Sequence, residues 1–90
     1  MKHLQAYIDR NNKWNSLFSG NKVIYEVATA QGREFIARRI DADLSPENLS
    51  CDGELPRAEV QRRYRELTSA ARELINLDPT MEQYIYEFCG

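Results

Sequence analysis

The run from Lys22 to Ile40 constrains the fold more than any other part of the chain. It reads Val23-Ile24-Tyr25-Glu26-Val27-Ala28, then Gln31-Gly32, then Phe35-Ile36-Ala37-Arg38-Arg39-Ile40. Two segments rich in β-branched and aromatic residues flank a Gly-containing turn, the pattern of a β-hairpin. Strand 1 is expected over about 22–29 and strand 2 over about 33–40. With Gln31-Gly32 as the loop, Val27 faces Ile36, Tyr25 faces Arg38 and Val23 faces Ile40. One face then holds Val23, Tyr25, Val27, Ile36 and Ile40, and suits helix packing. The other holds Ile24, Glu26, Ala28, Phe35, Ala37 and Arg39. A slip of one residue exchanges the faces, and Gln-Gly is a weaker turn signal than Asn-Gly.

Helix-period segments lie on both sides. Leu4, Tyr7, Ile8, Trp14, Leu17 and Phe18 recur at three- and four-residue spacings, which predicts a helix over 1–19. Asn11-Asn12 are weak helix formers at which it can break. Gly20 suits a left-handed C-cap. Residues 41–55 read as an acidic connection. Within it, Ser45 as N-cap and Pro46 at the first position can build one helical turn, and Asp52-Gly53 a tight turn. The strongest helix pattern is Val60, Tyr64, Leu67, Ala71 and Leu74, over 56–77, with Pro56 at its first position. Asp78-Pro79 ends it and starts a short helix over 79–88, with Met81, Tyr84, Ile85 and Phe88 inward. A lone two-stranded hairpin is marginal in water, so helices or a partner must cover it. The expected fold is α+β, one domain ordered α-β-β-α-α, a hairpin packed against two or three helices.

Composition narrows function by exclusion. The 90 residues carry 42% hydrophobic and 29% charged residues, a globular balance. A net charge of −2 and a pI near 5.4 oppose bulk nucleic-acid binding, which needs a cationic footprint. Charge is segregated: residues 1–40 carry +4, 41–56 carry −5, 57–77 carry +2 and 78–90 carry −3. Cys51 and Cys89 show no metal-binding spacing, and one His completes no zinc site. Nothing in the sequence supports a disulfide between them. With no signal peptide or membrane-length apolar run, the expected setting is a reducing cytoplasm with free thiols and no membrane partner.

Catalysis finds little support. His3 lies near the terminus, and no phosphate loop, nucleophile elbow or metal motif occurs. Asp41, Asp43, Ser45, Glu47 and Asp52 mimic the start of a calcium loop. Pro46 stands where its sharp turn needs Gly, and Asp52 where a bidentate Glu is usual. No catalytic residue, metal ligand or cofactor is therefore assigned, and no enzyme is expected.

What remains is contact surface. Arginine suits carboxylate and phosphate recognition, and Arg33, Arg38, Arg39, Arg62, Arg63 and Arg65 form the basic set. Ile24 and Phe35 fall on the less apolar sheet face, and Tyr86 lies off the last helix's apolar stripe. The expected partner-binding residues are Ile24, Phe35, Arg38, Arg39, Arg62, Arg65 and Tyr86. The functional expectation is a non-enzymatic protein-binding module, a small inhibitor or adaptor, for which a phage or plasmid origin is a fitting context. A homodimer is a further option. The alternative is a nucleic-acid-associated regulatory protein using the arginines of the hairpin and second helix, ranked behind.

Overall fold

A computed structural model of the chain describes residues 2–17 and 25–86. Among these residues four α-helices follow one another: α1 Lys2–Leu17, α2 Ala30–Asp43, α3 Pro46–Ser50 and α4 Arg57–Leu77. A 3-10 helix, Pro79–Tyr84, follows. No strand occurs among the described residues, so the α+β expectation is overturned and the domain is all-helical.

The correction falls on 25–40, and its cause is physical. Ile36 and Ile40 are four apart, a spacing that fits a strand and a helix equally well. Around them stand strong helix formers: Ala30, Gln31, Arg33, Glu34, Ala37, Arg38, Arg39 and Ala42. Thr29 caps the helix, its hydroxyl accepting from the Gly32 N–H at 3.0 Å. Ile36, Ala37 and Ile40 are all buried, as one helical face requires and alternating strand faces forbid. The described part of the other expected strand, 25–29, is irregular and bends before α2. There the Asn12 carboxamide accepts from the Tyr25 N–H at 2.8 Å and donates to the Tyr25 carbonyl at 3.1 Å. One side chain thus satisfies both backbone groups that a neighbouring strand would have paired. The residues 22–24 of the expected strand 1 lie outside the described residues.

Gly32 takes no left-handed conformation. Its role is close approach, because a Cβ there would collide with the Glu26 carbonyl oxygen. α1 runs unbroken through Asn11, whose amide donates to the Tyr7 carbonyl. Gly20 lies outside the described residues. The acidic stretch is largely helical, since α2 reaches Asp43 and α3 occupies Pro46–Ser50. Cys51, Asp52 and Gly53 then take positive φ in succession, turning the chain toward α4. Pro56 stands at the N-cap position of α4, one residue before its expected place at the first helical position, and its side chain supplies no cap.

α4 packs against every other element. Its Leu67, Ala70, Ala71 and Leu74 meet Leu4, Tyr7 and Ile8 of α1, Ile36, Ala37 and Ile40 of α2, and Leu44, Met81 and Ile85. Each fully buried Leu or Ile contributes roughly 1.5–3 kcal/mol. The small residues Ala70 and Ala71 let neighbouring backbones approach. The first turns of α4 are less covered: Tyr64, expected inside, is 46% exposed. Asp78 ties the chain together, accepting from Thr80 as N-cap of the 3-10 helix and pairing with Arg33 at 2.7 Å. Arg33 also donates to the Val27 carbonyl at 2.7 Å. Those Thr80 and Arg33 bonds hold the Asp78 carboxyl below its ordinary range.

Candidate functional site

Two surface features stand out. The first is an aromatic and arginine face built by α2 and the 3-10 helix. Three aromatic rings lead outward from the core. Tyr7 is buried, Tyr25 meets it edge-on at 6.4 Å, and Phe35 meets Tyr25 edge-on at 5.0 Å. Phe35 ends this series 38% exposed. One turn along α2, the Arg38 guanidinium lies 4.7 Å from the centre of the Tyr84 ring. Arg38 also donates to Glu34 at 3.2 Å. Hydrogen bonding from Tyr84, then from Arg38, holds the Glu34 carboxyl below its usual range, while the same bond raises the Tyr84 phenol. Tyr86 follows the buried Ile85 and is 73% exposed, near enough to Tyr84 to add to that rise.

The second feature is a cleft of about 300 Å³ where α1, α3 and α4 meet the end of α2. Arg10, Asp43, Asn48, Leu49, Arg62, Arg63, Glu66 and Leu67 line it. Arg62 is heavily engaged: it grips Glu59 through Nε at 3.0 Å and through Nη2, and reaches Glu66 at 2.7 Å. These bonds raise the Arg62 guanidinium and lower the Glu59 carboxyl. Asp43 is also engaged, accepting from the Tyr7 hydroxyl at 2.8 Å and facing Arg39 at 3.5 Å. The Asp43–Arg39 pair stands between the cleft and the aromatic face. A smaller hollow of about 170 Å³ continues along α1 past Tyr7, Ala6 and His3, sharing Arg10, Glu66 and Leu67.

The expected contact residues divide between these features. Phe35 and Arg38 lie one turn apart on α2 rather than on a sheet, and Tyr86 lies just past the 3-10 helix, beside Tyr84. Arg39 borders that face, Arg62 belongs to the cleft, and Arg65 is exposed on α4 and lines neither. Ile24 lies outside the described residues. The shared-face pairing of Ile24 with Phe35 is withdrawn with the hairpin that implied it. The periodicity places Tyr84 on the inward stripe, and its position under Arg38 has no sequence signal. Arg10 and Asn48 likewise have no sequence signal, because the cleft joins residues of four helices.

Among the described residues no group of His, Cys, Asp or Glu side chains can hold a metal ion. The calcium-loop pattern is dispersed, with Asp41 and Asp43 in α2 and Glu47 in α3. Cys51 is a free thiol, and Cys89 lies outside the described residues. No described helix is long and apolar enough to cross a membrane. No family model, no curated protein and no solved structure matches this chain.

Proposed function

We propose that the chain is a non-enzymatic protein-binding module, an inhibitor or adaptor working in a reducing cytoplasm. Its docking face is formed by Phe35, Arg38, Tyr84 and Tyr86. One observation carries the reading: aromatic rings and an arginine are gathered at the surface on rigid elements, the composition that dominates interface energetics. Phe35 is backed by Tyr25 and Arg38 is braced on Tyr84, so little side-chain freedom is lost on docking. The nucleic-acid alternative gains nothing comparable. Arg38, Arg39 and Arg62 already face Glu34, Asp43 and the Glu59/Glu66 pair, which leaves little free charge for phosphates.

The test is capture from nuclease-treated host lysate in about 0.5 M salt, where screening acts within about 4 Å. The wild-type chain should retain a stoichiometric partner. A Phe35→Ser/Tyr86→Ser double variant with an unchanged circular-dichroism spectrum should lose it. Arg62→Gln/Arg65→Gln should keep it. Retention by the aromatic double variant, or loss on nuclease treatment alone, would sink the proposal.

A further inference from the structure

The cleft between α1, α3, α4 and the end of α2 carries charge that its own partners do not cancel. The lining supplies three arginines against Asp43 and Glu66. Adding the outer partners Arg39 and Glu59 leaves one positive charge in excess. That excess sits on two guanidiniums with unused donors. Arg10 lies 5.8 Å from the centre of the Tyr7 ring, and its nearest carboxylate oxygen, on Glu66, is 3.9 Å away. Arg63 lies 3.6 Å from Glu59 and contacts the Cys51 sulfur at 3.7 Å. Arg10 donates to no oxygen of a described residue and Arg63 reaches only Glu59, whereas Arg62 makes three such bonds. Leu49 and Leu67 add apolar lining, and Asn48 is fixed by donating to the Ala42 carbonyl at 2.7 Å.

We propose that this cleft binds a small carboxylate with an apolar body, its oxygens between Arg10 and Arg63 and its body on Leu49 and Leu67. A carboxylate supplies the one missing negative charge and matches the planar donor fork of arginine. A phosphate brings nearly two charges and leaves the leucines without a partner. The volume matches about ten waters, which sets the ligand at the size of a simple aryl or short alkyl acid. The proposal is separate from the docking face and stands without it.

The experiment is an amide-resolved NMR titration of the full chain with benzoate, with neutral benzamide, and with inorganic phosphate. Benzoate should give saturable shifts centred on Asn48, Leu49 and Leu67, and the other two probes should not. Arg10→Gln and Arg63→Gln should each weaken benzoate by about two- to five-fold, the effect of losing one half-exposed charged contact. Arg65→Gln, on the same helix and outside the cleft, should bind as the parent does. Shifts that fail to saturate, that benzamide or phosphate reproduces, or that survive both cleft substitutions would overturn the assignment. The three-probe comparison decides on the unaltered chain, whatever the variants do to folding.

Discussion

Gly32→Ala separates the forces acting at the start of α2. Propensity alone favours the change, because Ala is better than Gly by up to about 1 kcal/mol inside a helix. The surroundings oppose it. The added methyl would press into the Glu26 carbonyl oxygen and lie 3.0 Å from the Thr29 hydroxyl oxygen. To restore ordinary contact, the Glu26 carbonyl must retreat by about 1 Å. It cannot do so freely, since Tyr25 before it is held by Asn12 and Val27 after it by Arg33. The retreat therefore strains the Thr29 cap, worth about 1 kcal/mol, and the Arg33–Val27 bond, worth about 1.5–3 kcal/mol. Set against the propensity gain, the net expectation is a destabilisation of about 2 kcal/mol. Urea unfolding followed by circular dichroism reads it directly, and the melting temperature should fall by about 8–16 °C. Gln31→Ala, one residue away and exposed, should change stability by less than about 0.5 kcal/mol. A Gly32→Ala protein as stable as its parent, or more so, would refute the close-approach argument.

Two further outcomes follow from the core. Ala37→Asp places an unpaired carboxylate at a position with no exposure and should cost more than about 4 kcal/mol, abolishing the helical spectrum; a hairpin would carry it on its mixed face, so a folded variant would contradict the helical packing. Tyr7→Phe removes the bond to Asp43 at a cost of about 1 kcal/mol. Burial, then the Asp43 charge and hydrogen bond, raise the Tyr7 phenol above its ordinary value of 10.0. The folded chain therefore keeps a proton that the unfolded chain releases, and stability must fall as pH climbs above about 10, by up to about 1.4 kcal/mol per pH unit. Tyr7→Phe should flatten that alkaline decline in pH-dependent melts, and identical slopes would disprove the assignment.

The sequence was legible where periodicity was unambiguous. The stripe ending in Leu67, Ala71 and Leu74 marks α4, and Asp78-Pro79 marks the change of direction after it. It misled where one spacing served two periods. Ile36 and Ile40 fit strand and helix alike, and Gly32 looked like a turn residue when it makes room for a carbonyl. What could have decided between them was the density of helix formers from Ala30 to Ala42, together with Thr29 as a cap. The Asn12–Tyr25 pairing joins residues whose types announce nothing. The candidate face was partly legible, since Phe35, Arg38 and Tyr86 were each named for exposure or charge. The meeting of Arg38 with Tyr84 depends on how the 3-10 helix lies on α2, which no local pattern encodes. The cleft was illegible for the same reason, with Arg10 and Arg63 on different helices.

The Glu73 carboxylate accepts from the backbone N–H groups of His3 at 3.0 Å and Leu4 at 3.1 Å. It thereby satisfies donors that an isolated α1 would leave open, and puts a negative charge at the positive end of that helix. Seventy positions separate His3 from the residue that finishes its first turn. At about 5–20 residues per second, translation delivers Glu73 roughly 4–14 s after His3. For that interval the first helix exists without its cap. The first turn of α1 therefore reaches its final form only after most of α4 has been made, and the two helices close together.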